Sequence, residues 1–79
     1  MANNFKLLDV VALLKDQPRI GLRRGQVGTI VEIYKSGRYE VEFADSQGKT
    51  FALATLSASQ LLRLSYDRAA RRSRGRLVA

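Results

Sequence analysis

The sequence predicts an all-β domain of five short strands, and three observations carry that expectation. Apolar and β-branched residues recur at period two at Val27, Thr29, Val31 and Ile33, and again at Tyr39, Val41 and Phe43, the spacing of half-buried strands. Ser36-Gly37 and Gln47-Gly48 stand where hairpin turns would fall. Pro18, Gly21 and Gly25 break residues 16–25 into a loop between two apolar stretches.

Residues 8–15, Leu-Asp-Val-Val-Ala-Leu-Leu-Lys, are apolar and partly β-branched with charges at their margins. Leu8, Leu13 and Leu14 would suit a short helix as well, but eight residues suit a strand better. In the loop that follows, Ile20 and Leu22 are expected to tuck underneath, with Arg19, Arg23 and Arg24 pointing outward. The second strand spans residues 24–34 and is reached through a glycine-rich turn. A three-residue loop, Lys35-Ser36-Gly37, would pair Ile33 with Tyr39, Val31 with Val41 and Thr29 with Phe43. A two-residue turn would instead set Ile33 against Glu40 and Val31 against Glu42 and bury charge. The longer loop also puts glycine at the position that needs positive φ. Ser46-Gln47-Gly48 repeats the pattern and would pair Phe43 with Phe51, Val41 with Leu53 and Tyr39 with Thr55. The expected core face is therefore Val27, Thr29, Val31 and Ile33, then Tyr39, Val41 and Phe43, then Phe51, with Arg38, Glu40 and Glu42 outside. Ser57-Ala58-Ser59-Gln60 fits a single 3₁₀ turn, and Leu61-Leu62-Arg63-Leu64 a fifth strand.

The chain has 79 residues, enough for one domain, and a domain this small buries only about 60% of its unfolded surface. It holds no cysteine and no histidine. That excludes disulfides, thiolate chemistry and the commonest general base and metal ligand. The net charge of +7 is uneven. Residues 1–65 carry nine Lys+Arg against six Asp+Glu, whereas residues 66–79 carry five Arg against one Asp. The expected organisation is a β-domain over residues 1–65 and a flexible basic tail over 66–79, disordered or a short helix. No apolar signal core opens the sequence, and no apolar run reaches the roughly 20 residues that span a bilayer. The expected compartment is the cytoplasm.

Five short strands, a long first loop, two tight hairpins, a 3₁₀ turn and a last short strand follow the order of a small five-stranded SH3-like barrel. Three segments resemble a family of small bacterial and archaeal proteins known as a domain of unknown function. They are Phe5-Lys6-Leu7-Leu8-Asp9-Val10-Val11-Ala12-Leu13, the stretch from Gly21 to Glu32, and Tyr39-Glu40-Val41-Glu42-Phe43. Gly28-Thr29-Ile30-Val31 is the most recognisable motif. The resemblance covers about residues 5–64 and implies an SH3-like fold with no assigned activity and no catalytic or binding residues. Gly25-Gln26-Val27-Gly28-Thr29-Ile30 is also similar, in outline, to the KOW motif of ribosomal and transcription proteins, where such a turn and strand can contact RNA.

No catalytic set emerges. Glu32, Glu40 and Glu42 lie together in the derived register and could form an acid/base pair or a divalent-cation site. The plainer reading is a solvated face offset by Arg38. No cofactor is implied. Tyr34, Tyr39, Phe43 and Phe51 invite comparison with a proline-rich-peptide groove, but the register leaves only Tyr34 outside. Arg68, Arg71, Arg72, Arg74 and Arg76 of the tail, with Arg19, Arg23, Arg24 and Lys15 of the first loop, could neutralise phosphates, because a guanidinium meets phosphate oxygens in pairs. No aromatic residue follows Tyr66, so the tail lacks a base-stacking platform. The leading expectation is a non-enzymatic interaction module for a protein partner, accessory or antitoxin-like. The alternative is a KOW-like RNA- or DNA-binding protein using the basic loop and tail.

Overall fold

The structure, a computed structural model, describes residues 5–64. Among these described residues there are five strands: β1 (Val10–Leu13), β2 (Val27–Ile33), β3 (Arg38–Ala44), β4 (Thr50–Ser57) and β5 (Leu61–Leu64). Two 3₁₀ turns, Pro18–Ile20 and Ala58–Gln60, lie in the first loop and before β5. The second turn is the one the sequence predicts; the Gln60 side chain reaches back to accept the Ser57 N–H at 2.8 Å. β1 is shorter than residues 8–15, and Leu8 and Leu14 lie beyond its ends. The Arg-rich tail of residues 66–79 lies outside the described residues.

The strands form one antiparallel sheet in the order β4-β3-β2-β1-β5. The sheet does not close on itself, which corrects the expected barrel. β4 and β5 each hydrogen-bond to one neighbour and remain edges.

Both hairpin turns have the predicted length. Tyr34 N–H donates to Arg38 O at 2.9 Å around Lys35-Ser36-Gly37, and Asp45 N–H donates to Lys49 O at 2.9 Å around Ser46-Gln47-Gly48. Gly37 and Gly48 each adopt φ 81°, the left-handed conformation that glycine enters without a Cβ clash. Near the first turn Ile33 pairs with Tyr39 and Glu32 with Glu40, as expected. Val31 then bulges out, so Ile30 meets Val41 and Gly28 meets Phe43. Residues Gly28 and Ile30 therefore turn inward. The expectation that Val27, Thr29, Val31 and Ile33 face the core is overturned; Val27 and Ile33 are exposed. The second hairpin repeats the event. Ala44 pairs with Thr50, Phe51 is the extra residue, and Phe43 meets Ala52, Val41 meets Ala54 and Tyr39 meets Leu56. Phe51 and Leu53, expected inside and opposite Phe43 and Val41, are instead 52% and 57% exposed. A one-residue slip exchanges the two faces of a strand.

The core consists of Val11, Leu13, Leu22, Ile30, Tyr39, Val41, Phe43, Ala54, Leu56 and Leu61, joined by Phe5 from before β1. Phe5 packs edge-on against Tyr39 with ring centroids 5.2 Å apart. The Arg63 guanidinium sits 5.9 Å above the Phe5 ring and 3.6 Å from the Asp9 carboxylate. This links the segment before β1 to both β3 and β5.

Gly28 leaves room for its neighbours across the sheet. A Cβ there would lie 2.6 Å from Val41 Cγ1, 2.9 Å from Glu42 O and 2.9 Å from Phe43 Cδ1. The Glu42 carbonyl is backbone and cannot rotate away. Gly28→Ala is expected to lower stability by about 2–3 kcal/mol, read as a lower urea midpoint at unchanged slope.

Leu8 is a different case. It adopts φ 71° with its side chain outside, 72% exposed. Its N–H donates to Ile30 O at 2.7 Å, and the turn is closed by Asp9 N–H to Lys6 O and by Lys6 N–H to the Asp9 carboxylate. A non-glycine residue there costs about 1–2 kcal/mol, against about 0.5–1 kcal/mol for the extra chain entropy of glycine. Leu8→Gly should therefore raise stability by about 0.5 kcal/mol. A lower urea midpoint would show that the exposed leucine packs against something.

Candidate functional site

The first loop is built, not slack. At its base Leu13 N–H donates to Gln26 O at 2.9 Å and Gly25 N–H donates to Leu13 O at 2.8 Å. Gln17 and Leu22 then exchange N–H···O bonds of 2.7 and 3.1 Å, which pinches residues 18–21 into a closed excursion. Pro18 starts the 3₁₀ turn, with a ring that presets φ, and Gly21 ends it at φ 72°. Two side chains lock the returning arm. Asp16 Oδ1 accepts the Arg24 N–H at 2.8 Å, and Gln26 Oε1 accepts the Arg23 N–H at 2.6 Å. Leu22 is buried and anchors the whole to the core.

This scaffold carries Arg19, Arg23 and Arg24 on its outside, together with Lys15. Among the described residues none of these four side chains enters an ion pair; Asp9–Arg63 is the pair that does form. Leu22 is tucked under as the sequence predicts, but Ile20 is not: it stands out at 45% exposure. The loop encloses a cleft of about 360 Å³ lined by Asp16, Pro18, Gly21, Leu22 and Arg23. Its lining mixes apolar Pro18 and Leu22 with charged Asp16 and Arg23. Arg68, Arg71, Arg72, Arg74 and Arg76 lie outside the described residues.

A second cluster occupies the outer face of β2 and β3. Glu32 pairs across the sheet with Glu40. Thr55 Oγ1 donates to Glu40 Oε1 at 2.7 Å and the Tyr34 hydroxyl to the same oxygen at 3.3 Å. The Thr50 hydroxyl donates to the Glu42 carboxylate. Hydroxyl groups, rather than Arg38, partner Glu40 and Glu42. Among the described residues no three acidic side chains converge where they could hold a metal ion.

The aromatic residues do not assemble a groove. Tyr34 and Phe51 are both exposed, but they sit at opposite ends of β3: Tyr34 bonds Arg38 at its start, and Phe51 bulges beside Phe43 near its end. The exposure of Phe51 and Leu53 along β4 has no clear mark in the sequence. Thr-Phe-Ala-Leu-Ala-Thr-Leu-Ser is apolar in both phases of a period-two pattern. The small phase, Ala52 and Ala54, is the one that fits beneath Phe43 and Val41.

Tyr34 supplies a pH-dependent signature of the acidic cluster. Partial desolvation raises its phenol above the ordinary value of 10.0, and the Glu40 charge, its hydrogen bond and the Glu32 charge add to the rise. The neutral phenol is therefore favoured in the folded state. The associated stability is present below the unfolded value and is lost as pH rises through the folded one. The absorbance difference between the native chain and Tyr34→Phe should show Tyr34 ionising at higher pH when folded than in urea, with Glu40→Gln narrowing the gap. Coincident folded and unfolded titrations would contradict this account.

The model of a protein family described as a domain of unknown function (DUF4926) matches residues 7–63. No curated protein and no solved structure matches the chain.

Proposed function

The chain belongs to the family described as a domain of unknown function (DUF4926), and from that premise we propose that it is a non-enzymatic interaction module that binds a protein partner through its first loop. The observation that carries this is the construction of residues 16–25. Reciprocal backbone bonds, two side-chain locks and a buried leucine hold the loop in one shape. On that shape sit an exposed Ile20, the cleft and guanidinium groups with no ionic partner among the described residues. Preorganised arginine beside apolar surface is the composition of a protein-binding hot spot. The partner surface is acidic with an apolar anchor, in keeping with an accessory or antitoxin-like role. The strand order and the 3₁₀ turn before β5 support an SH3-like path of the chain around this loop.

A KOW-like nucleic-acid reading is favoured by the same guanidinium groups, which lie beside the glycine-bearing turn into β2. It differs in its salt response. Phosphate neutralisation releases counterions, so affinity falls steeply with salt, whereas an apolar anchor on a protein partner moderates that fall.

Affinity capture of the full chain from native lysate should recover one protein in stoichiometric amount, and Arg23→Glu with Arg24→Glu should abolish that recovery. Recovery of nucleic acid alone would overturn the protein-partner reading. In that event generic RNA or duplex DNA should bind at low salt, weaken steeply as salt rises, and fail to bind once residues 66–79 are deleted and Arg23 and Arg24 are reversed.

A further inference from the structure

We propose that the chain self-associates through β4, two copies pairing antiparallel edge to edge into one continuous sheet. This surface uses none of the first-loop residues and goes beyond the reading above.

The sheet has two edges of different kinds. β5 is four residues long and carries Arg63 in its middle. β4 is eight residues long, Thr50–Ser57, and its outer side faces no strand among the described residues. Natural sheets blunt such edges with lysine, proline, short length or inward-pointing charge. β4 has no charged residue and no proline, and its bulge at Phe51 lies near one end, leaving Ala52–Ser57 regular. Phe51, next to that run, and Leu53, within it, stand exposed.

Charge identifies the occupant as a second copy. The chain carries +7, so two copies repel over most of their surface. The run from Thr50 to Leu62 is the longest in the chain without Asp, Glu, Lys or Arg. Along it like charges do not meet. The nearest acids on β3, Glu40 and Glu42, are held by the hydroxyls of Thr55 and Thr50. A strand with no charge offers nothing by which to select a charged foreign strand, but it matches its own reverse. Opposed residues in an antiparallel pair share a face. Registers that keep both cores on one face place Leu53 against an odd-numbered residue of the second copy, and those that oppose it to Phe51 or to Leu53 bring the apolar rows of the two copies together on the outer face. A single strand pair is a small contact beside the roughly 800 Å² per partner of a standard interface. The dimer is accordingly weak and concentration-dependent.

The test is sedimentation equilibrium of the full chain from micromolar to millimolar concentration. The apparent mass should climb from 8.8 kDa toward twice that value. Leu53→Lys should raise the dissociation constant by about tenfold or more, since it brings two like charges across the joined edge. Leu62→Lys, an equally exposed change on β5, should leave it unaltered. Circular dichroism checks that each variant keeps its sheet; if Leu53→Lys does not fold, Thr55→Lys on the same exposed row replaces it. A chain that stays at 8.8 kDa throughout, or a dimer broken by Leu62→Lys and not by the β4 changes, overturns the proposal. Capture of the protein partner through Arg23 and Arg24 should survive Leu53→Lys, so the two readings can fail separately.

Discussion

The arrangement of this sheet depends on the room taken by the Phe43 ring. Phe43 is fully buried one residue from the end of β3, and its cross-strand neighbours are Gly28 on one side and Ala52 on the other. A ring of that size, worth up to about 3 kcal/mol when fully buried, requires small residues beside it on a single face. Gly28 has no Cβ to contribute, and the position its Cβ would take is already filled by Val41, Phe43 and the Glu42 carbonyl. The next row repeats the logic more gently, with Val41 between Ile30 and Ala54. Small residues beside large ones close the core of a domain that has few layers to spare.

That requirement explains which parts of the fold were legible. The turns were, because turn chemistry is local: Gly37 and Gly48 occupy the positive-φ position of a three-residue loop, and both loops form as read. The 3₁₀ turn before β5 and the outward arginines of the first loop were legible for the same reason. The bulges at Val31 and Phe51 were not. Each follows from packing around Phe43, a fact about three strands at once. Extending the turn register along the strands put Thr29 and Phe51 against Phe43, where Gly28 and Ala52 leave more room for the ring. The open sheet is a comparable case, since five strands in this order are compatible with closing or with leaving two edges, and the sequence pattern is the same for both.

The candidate surfaces divide along the same line. Arg19, Arg23 and Arg24 were identified from composition, and their placement on a loop was sound. What composition could not supply was the bonding within the loop, where Asp16 and Gln26 accept the backbone N–H groups of Arg24 and Arg23. The acidic group on β2 and β3 was also foreseen from the register near the first turn, but its partners were not. The hydroxyls of Thr50 and Thr55 reach Glu42 and Glu40 because the bulge at Phe51 turns the threonine phase of β4 outward at one end and keeps it outward at the other. The same displacement exposes Leu53. One packing event therefore sets both the acidic cluster and the apolar row beside it.

The two bulges also separate the hairpin tips from the core in the matter of chain length. Between Ile30 and Glu32 the strand already carries one residue more than the ladder needs, and the same holds around Phe51. Loss of that residue would leave Gly28, Ile30, Ala52 and Ala54 on their present face, with Ile33 and Tyr39 still paired near the first turn. A residue lost between Gly28 and Ile30, or between Val41 and Phe43, would have no such slack and would turn the inward phase outward. The tips of this sheet can thus change length by one residue without disturbing its centre. Variation among related chains is expected to concentrate at those two points and to be absent from the rows around Phe43.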